Sequence, residues 1–247
     1  MIRVSKTACI VQARFASTRL PGKVLMEAGG KSLLEHLVER LRRAEAIDEI
    51  VIATTVNSDC RPIIDLAENC GVTWFAGSEE DVLERYLGAA REVNADNIIR
   101  VTSDCPLIDP VTIDRVVNCY LSGNADYVSN TIERTYPRGL DTEVFSLAAL
   151  EKADELASEK QYREHVTLYM YRHREYFTLI NVTAEPPLDR PELRLTVDTE
   201  DDFRLITEIY EALYRPGEII NINDVIKLFE ERPELVQINS HVEQKKV

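Results

Sequence analysis

A chain of 247 residues with 45% hydrophobic and 29% charged residues has an ordinary globular composition and is long enough to bury a large core. Its formal net charge of −14 argues against nonspecific nucleic-acid binding, and no apolar run approaches the roughly 18 residues that span a bilayer. Five cysteines without metal-type spacing favour reduced thiols, and no signal-peptide pattern opens the sequence, so we expect a cytoplasmic protein without nucleic-acid or membrane partners.

Apolar strand candidates alternate with amphipathic helices in the first half of the chain. The predicted order is strand 8–11, helix 32–43, strand 50–53, a helix containing Ile63, Ile64 and Ala67, strand 72–75, helix 82–90, strand 98–101 and a helix that opens at Asp109-Pro110. Repeated units of this kind predict an α/β fold with a mainly parallel sheet and helices on both faces. Ligands in such sheets bind at the carboxyl ends of the strands.

The second half of the chain is less regular from about residue 127. The expected elements are a turn at 136–139, strand 142–145, a largely helical stretch at 156–173, strands 177–182 and 193–197, and helices 201–213 and 224–231. No internal repeat or obvious linker interrupts the pattern. We therefore expect one domain over residues 1–247, with the irregular region 127–192 set apart from its regular first half.

The polar segment 12–23 directly follows the first predicted strand and carries three cations, two hydroxyls and a Pro-Gly turn. Residues 1–43 contain nine Lys or Arg and three Asp or Glu, whereas the remaining residues contain 20 and 40. This imbalance indicates a local site for a small polyanion. Arginine grips phosphate oxygens with two donors, lysine adds a point charge, and loop amides donate further hydrogen bonds. The position after a buried strand favours a triphosphate site over the alternative of a solvated surface loop.

Two common phosphate motifs do not explain this segment. A dinucleotide fingerprint requires G-x-G-x-x-G, and no glycine precedes Gly22. Gly30-Lys31-Ser32 matches the end of a P-loop, but Leu25 stands at the earlier glycine position.

Six motifs stand in order along nearly the whole chain. They are Ala13-Arg14 with Ser17-Thr18-Arg19-Leu20-Pro21-Gly22-Lys23, Asp104-Cys105-Pro106-Leu107-Ile108-Asp109-Pro110, Pro137-Arg138-Gly139-Leu140-Asp141, Arg163-Glu164-His165-Val166-Thr167, Thr196-Val197-Asp198-Thr199-Glu200-Asp201 and His241-Val242-Glu243-Gln244-Lys245. Together they resemble the cytidylyltransferases that activate acidic sugars, a family that includes the CMP-KDO and CMP-sialic acid synthetases, and within it the group of the spore coat polysaccharide protein SpsF. The resemblance implies a three-layer α/β fold of the nucleotide-diphospho-sugar transferase (Rossmann-like) type, and a homodimer with region 127–192 as the acceptor and dimerisation region.

The resemblance also implies which residues bind the nucleotide. The nucleotide-site candidates are Ala13, Arg14, Ser17, Arg19, Lys23, Thr54, Ser78, Asp81 and Arg100, and the catalytic candidates are Arg14, Arg19, Lys23 and Asp104. Phe15-Ala16 stands where the family has Met-Gly, a departure that removes no ligand. Cytosine as the base is implied by the resemblance alone.

Two aspartates, Asp104 and Asp198, each end a predicted strand. Carboxylates at two strand ends can converge on one cation, and Mg²⁺ prefers a few carboxylates together with phosphate oxygens and water. The alternatives are a turn at Asp104 and a helix N-cap at Asp198 or Thr199. The resemblance favours both aspartates as Mg²⁺ ligands, although Ser103 replaces a glycine of the nearest relatives.

The acceptor is expected to contact charged residues of two later motifs. These candidates are Arg138, Asp141, Glu143, Arg163, Glu164 and His165. An arginine can bind an acceptor carboxylate or phosphate, and carboxylates can bind its hydroxyls, whereas surface salt bridges are the plain alternative. The second motif is placed at the start of a helix, and a lone histidine there is more often structural than catalytic.

The sequence thus predicts that CTP, or another nucleoside triphosphate, bound with magnesium is attacked at its α-phosphate by a small acidic acceptor, releasing pyrophosphate. A glycosyltransferase with a nucleotide-sugar donor is the first alternative, but no Asp-x-Asp pair ends a predicted strand, and Asp198-Thr199-Glu200 is the nearest approach. A catalytically silent nucleotide-binding protein of a polysaccharide pathway is the second.

Overall fold

Nine strands and ten α-helices form the part of the chain that the computed structural model describes, residues 5–244. The strands are β1 (Thr7–Gln12), β2 (Glu27–Ala28), β3 (Lys31–Ser32), β4 (Glu49–Thr55), β5 (Thr73–Gly77), β6 (Asn97–Thr102), β7 (Tyr127–Ser129), β8 (Glu143–Ser146) and β9 (Leu179–Asn181). The helices are α1 (Leu33–Leu41), α2 (Arg61–Cys70), α3 (Val82–Glu92), α4 (Pro110–Ser122), α5 (Leu147–Leu156), α6 (Lys160–Glu164), α7 (Leu168–Arg172), α8 (Glu200–Leu213), α9 (Ile222–Glu231) and α10 (Glu234–Gln237).

The main sheet has seven strands in the order β5-β4-β1-β6-β8-β7-β9. β5, β4, β1 and β6 are parallel, β8 is antiparallel to both of its neighbours, and β9 is parallel to β7. The prediction of a mainly parallel sheet is therefore confirmed. Because β8 enters between β6 and β7 in the opposite direction, its first residue, Glu143, lies beside Arg100 near the carboxyl end of β6.

Helices cover both faces of this sheet, as the alternation of strands and helices predicts. Apolar residues of α1, α2 and α4 bury one face, and residues of α3, α5 and α7 bury the other. A third apolar cluster joins α8, α9 and α10 to Leu193, Leu195 and Val197. Parallel strands need cover on both sides, which explains why β1 and β6 consist largely of buried apolar residues.

Side-chain caps fix where the helices begin. Ser32 and Glu35 form a capping box at α1, and Thr199 and Asp202 form one at α8. Asp109 accepts a hydrogen bond from the Thr112 backbone N–H, which confirms that Asp109-Pro110 opens a helix. The alternative that Asp198 or Thr199 serves as a helix N-cap is correct for Thr199, which caps α8, and not for Asp198.

Two element predictions are wrong. Residues 193–197 form no strand of the sheet within the described chain; only an isolated bridge joins Arg194 to Arg138. β8 already occupies the position beside β6, so the backbone of this extended segment bonds to loops instead, with Val197 N–H donating to the Asp104 carbonyl at 2.8 Å. The expected helix 156–173 is two short helices, α6 and α7, and α5 precedes them directly after β8.

Within residues 5–244, no helix is both long and apolar enough to cross a membrane.

Candidate active site

The loop after β1 turns back on itself at the carboxyl edge of the sheet. Gly22 has a φ of 69°, and its N–H donates to the Phe15 carbonyl at 2.9 Å. A Cβ at Gly22 would lie 3.1 Å from the Phe15 ring, so the Pro-Gly turn closes on that ring. Phe15, the residue that departs from the family pattern, packs against the apolar cluster below the loop and so holds the two ends of the loop together.

The two aspartates and a loop lysine meet at one point. Asp104 follows β6 and Asp198 precedes α8, although 94 positions separate them in sequence. The Lys23 ammonium lies 3.1 Å from a carboxylate oxygen of Asp104 and 2.9 Å from one of Asp198, and it also donates to the Val197 carbonyl. Arg19 reaches the other oxygen of Asp198 at 2.9 Å. The two carboxylates thus converge, and we call Arg19, Lys23, Asp104 and Asp198 the nucleotide cluster.

Opposite charges fix the protonation of this cluster. Burial alone lowers the pKa of Lys23, but the carboxylates of Asp104 and Asp198 outweigh it and raise that pKa above its ordinary value. Burial raises the pKa of Asp104, whereas Lys23 and a hydrogen bond from Thr102 bring it below its ordinary value overall. At neutral pH the cluster therefore contains charged groups of both signs.

The same two carboxylates suit a hard divalent cation. Both carboxylates contact the Lys23 ammonium, so the position between them attracts positive charge. Among residues 5–244, no three His, Cys, Asp or Glu side chains form a metal-binding group by themselves. Asp104 and Asp198 therefore fit a cation such as Mg²⁺ that takes its other oxygen ligands from phosphate and water.

Arg138 lines the same cavity and forms no ion pair with a carboxylate among the described residues. The neighbouring Asp141 is held by Arg134 through two hydrogen bonds of 2.7 Å. Burial, followed by the repulsion from Arg134, lowers the pKa of Arg138 from its ordinary value. This arrangement leaves one arginine available for an anionic ligand.

Gly139 allows the Arg138 loop to touch the segment before Asp198. Its φ is 100°, and a Cβ there would lie 2.7 Å from the backbone carbon of Leu195. Leu195 N–H donates to the Arg138 carbonyl at 2.7 Å. The motif expected to bind the acceptor is thus joined, backbone to backbone, to the segment that leads to Asp198.

One cavity of about 380 Å³ brings eleven predicted site residues together. They are Ala13, Arg14, Ser17, Arg19, Lys23, Asp104, Arg138, Asp141, Glu164, His165 and Asp198. Glu164 is the last residue of α6 and His165 follows it, so this motif ends a helix and does not begin one. We call Arg138, Asp141, Glu164 and His165 the acceptor cluster.

Six other predicted site residues lie outside the cavity lining. Glu143 and Arg100 form a buried ion pair, and Glu143 also accepts hydrogen bonds from Tyr127 and Thr167. Arg100 donates to Gln12, which does line the cavity. Arg100 therefore reaches the cavity through Gln12, and direct ligand contact by it or by Glu143 stays a prediction.

The remaining members of this group belong to the sheet and to the contact between α3 and α6. Thr54 is fully buried in β4. Asp81 caps α3 by accepting a hydrogen bond from the Glu84 N–H, and it pairs with Arg163 at 2.7 Å. Ser78 accepts from the Asp81 N–H, and Arg163 also pairs with Asp154 at 2.7 Å. Ligand contact by Thr54, Ser78 and Asp81 stays a prediction, whereas the two ion pairs of Arg163 leave it less available to an acceptor than Arg138.

Several residues that line the cavity have no role predicted from the sequence. They are Gln12, Thr18, Val82, Arg85, Thr102, Ser103, Cys105, Gly139, Thr196 and Gln244. Arg85 is only 2% exposed, donates to the Ser78 carbonyl and has no hydrogen bond from its Nε within the described chain. Arg85 stands on the apolar face of α3, one turn after Val82, where an arginine is unusual, and this position is the feature of the sequence that could identify it.

Comparisons with known proteins add independent information about the family. A sequence profile of the cytidylyltransferases matches residues 8–243. The chain belongs to the cytidylyltransferase family. Spore coat polysaccharide biosynthesis protein SpsF of Bacillus subtilis is 36% identical over 234 residues, which cover 91% of this chain and 94% of that protein. The resemblance inferred from the six motifs is confirmed.

Two further relatives extend the comparison of this cytidylyltransferase. A 3-deoxy-manno-octulosonate cytidylyltransferase of Geobacter metallireducens is 28% identical over 214 residues, covering 76% of this chain and 82% of that protein. The solved structure of a cytidylyltransferase from Leptospira borgpetersenii superposes with a TM-score of 0.89 at 31% identity, covering 99% of this chain and 100% of that one. The protein is a nucleotidyltransferase, and its fold is of the predicted Rossmann-like type.

Proposed function

We propose that this cytidylyltransferase transfers CMP from magnesium-bound CTP to a hydroxyl of an acidic sugar, or a related small acidic acceptor, in surface polysaccharide biosynthesis. The observation that carries the proposal is the meeting of Lys23 with two carboxylates in a cavity that also presents Arg138. The SpsF and 3-deoxy-manno-octulosonate relatives support the pathway and the acceptor class.

The loop after β1 supplies the triphosphate contacts. Arg14, Ser17 and Arg19 line the cavity together with Lys23. Phosphate oxygens compete with the carboxylates of Asp104 and Asp198 for Arg19 and Lys23, because both cationic side chains donate hydrogen bonds that phosphate oxygens can accept. Asp104 and Asp198 would hold Mg²⁺, which when bound neutralises negative charge on the triphosphate and on the departing pyrophosphate.

The acceptor cluster orients the second substrate. Arg138 binds its carboxylate, and Asp141, Glu164 and His165 line the same cavity as hydrogen-bond partners for sugar hydroxyls. The acceptor oxygen then forms a bond to the α-phosphorus while the bond from that phosphorus to pyrophosphate breaks, and the hydroxyl proton is released to solvent. Positioning and charge neutralisation supply most of the rate enhancement in such transfers.

Pyrophosphate release tests this function. The purified protein would be given CTP, UTP, ATP or GTP, each with a panel of sugar acids of the KDO and nonulosonic types, with Mg²⁺ or with a chelator. We expect release that requires CTP, an acidic acceptor and the divalent cation. Release with other nucleotides but none with CTP would contradict the proposal, and release of a nucleoside diphosphate from a nucleotide sugar would indicate a glycosyltransferase.

We further propose a cytoplasmic homodimer that uses region 127–192 as its contact. The five free cysteines and the nucleotide substrate support the compartment, and the exposed Tyr176 lies within the region. Sedimentation velocity would show a dimer mass for the wild-type protein, whereas a monomer at micromolar concentration would contradict the dimer.

A further inference from the structure

The carboxyl-terminal segment 239–244 returns to the cavity after α10. Lys245, the last residue of the sixth motif, lies outside the described residues. Asn239 is only 3% exposed, and Gln244 lines the cavity together with Asp198. The His241 Nε2 lies 3.2 Å from a carboxylate oxygen of Asp201, at the start of α8. This motif has no role in the proposed chemistry described so far.

Arg194 connects this segment to Asp198. Each of its three guanidinium nitrogens has a different principal acceptor. Nη2 donates to Asp198 at 2.8 Å, Nε donates to Asp202 at 2.8 Å, and Nη1 donates to the Gln244 amide oxygen at 2.6 Å. The guanidinium is therefore fixed in its plane on all sides, and one of its donors is directed at the proposed metal ligand.

Asp202 and Asn239 form the buried base of the same network. Asp202 is fully buried and accepts hydrogen bonds from the backbone N–H groups of Asp198 and Thr199. Asn239 donates to Asp202 at 2.8 Å and to the Arg194 carbonyl at 3.1 Å. Both the backbone and the carboxylate of Asp198 are thus held by groups that segment 239–244 contacts.

The chemistry of Gln244 suits a positioning role. Its amide oxygen satisfies an Arg194 donor without adding a negative charge, so the positive charge of Arg194 remains shared between Asp198 and Asp202. Partners that orient a metal ligand in this way influence metal affinity strongly, and their replacement commonly costs about 10-fold to 100-fold in affinity or activity.

We propose that segment 239–244 is part of the active site, anchored by Asn239, with Gln244 as a positioning residue that acts through Arg194 on the metal-binding carboxylate of Asp198. The inference depends on the proposed function, because it takes Asp198 as a ligand of the divalent cation. It assigns the carboxyl-terminal motif to the metal-binding part of the site.

Mn²⁺ binding, measured as the loss of the EPR signal of the free ion, tests the inference without turnover. The protein would be titrated with Mn²⁺ in the presence of saturating α,β-methylene CTP. Gln244→Met removes the acceptor oxygen at nearly constant side-chain volume, and because Gln244 is exposed the fold should tolerate it. Glu243→Gln is the matched control, since Glu243 is exposed and has no hydrogen bond or ion pair within the described residues.

We expect Gln244→Met to weaken Mn²⁺ binding about 10-fold, with an unchanged melting temperature and unchanged affinity for the CTP analogue at saturating Mn²⁺. Wild-type Mn²⁺ binding by Gln244→Met, or a rise only in the KM for the acceptor, would overturn the inference. If the wild-type protein binds no Mn²⁺ with the analogue, the proposed metal site fails first, and this inference fails with it.

Discussion

The nucleotide cluster and the acceptor cluster differ in whether their cationic side chains are already paired with carboxylates. In the nucleotide cluster, Lys23 and Arg19 are bound to the carboxylates of Asp104 and Asp198. In the acceptor cluster, Arg138 forms no ion pair among the described residues, because Arg134 holds the neighbouring carboxylate of Asp141. The first cluster presents cations that are already paired, and the second presents an arginine that is not.

This difference affects how the two ligands of the proposed reaction enter. A triphosphate that binds the loop cations would have to displace the carboxylates from them, which would rearrange the ion pairs and free two carboxylates for a cation. An acceptor carboxylate meets an arginine without an ion pair, so it breaks none. Since an exchange of partners needs a strongly charged ligand, we expect the nucleotide cluster to select a polyanion, whereas a single carboxylate should suffice at the acceptor cluster.

The largest effect should follow from removing a carboxylate of the nucleotide cluster. We expect Asp104→Ala to lower kcat/KM by about 1000-fold or more, because Lys23 loses a partner and the proposed cation loses a ligand. Steady-state pyrophosphate release measures this, with Asp224→Asn on the exposed face of α9 as the control. Near-normal turnover of Asp104→Ala would remove the assigned role of Asp104.

The buried pair beside the cavity should determine stability more than binding. Glu143→Gln leaves Arg100 without a countercharge at a position where Glu143 is only 7% exposed, so we expect a loss of about 3 kcal/mol in the free energy of unfolding. Urea denaturation measures this. Glu151→Gln, which breaks the exposed pair with Arg91, should cost less than about 1 kcal/mol. A raised KM for the acceptor at unchanged stability would instead show that Glu143 contacts the acceptor.

Removing the unpaired arginine should affect only the acceptor. We expect Arg138→Met to raise the KM for an acidic acceptor by about 10-fold to 100-fold, because it removes a charge-assisted hydrogen bond. The KM for CTP should change little. Initial rates with each substrate varied in turn distinguish the two constants. An equal rise in both would show that the two clusters do not act separately.

The smallest effect on binding should come from an arginine that is already paired. Arg163 is held by Asp81 and Asp154, so Arg163→Met should leave the KM for the acceptor within about twofold of wild type and lower the free energy of unfolding by about 1 kcal/mol. The same kinetic series and a urea titration measure both quantities. An effect as large as that of Arg138→Met would support direct contact of Arg163 with the acceptor.

Local sequence patterns predict the residues that follow the parallel strands more directly than the surroundings of β8, for a physical reason. In the parallel half of the sheet, the candidate site residues follow strands, so apolar segments in the sequence point directly to Lys23 and Asp104. β8 runs in the opposite direction, and the residues near the cavity come before it. A register such as Arg100 beside Glu143 depends on which strand enters the sheet and in which direction, and local periodicity does not contain that information.

Other differences arise where burial is achieved without regular hydrogen bonding. Residues 193–197 have the alternation of a strand, but their apolar side chains pack on α8 and α9 while their backbone bonds to loops. β7 has three residues, too few to show a period of two. The sequence alone predicts no role for Arg85, because an arginine within a helix is normally solvated, whereas here its side chain is buried.

The close approach at Gly139 has a mechanical consequence for the cavity. The loop that carries Arg138 and the segment that leads to Asp198 touch at Gly139 and share the hydrogen bond from Leu195 N–H to the Arg138 carbonyl. The two segments pack so closely at Gly139 that a larger residue there would push against the Leu195 backbone. We therefore expect them to move together as one rigid unit. Any closure around the ligands would then move other elements, such as the loop after β1, toward this unit. The distance between the proposed acceptor position at Arg138 and the proposed cation position at Asp198 would therefore be set before either ligand binds.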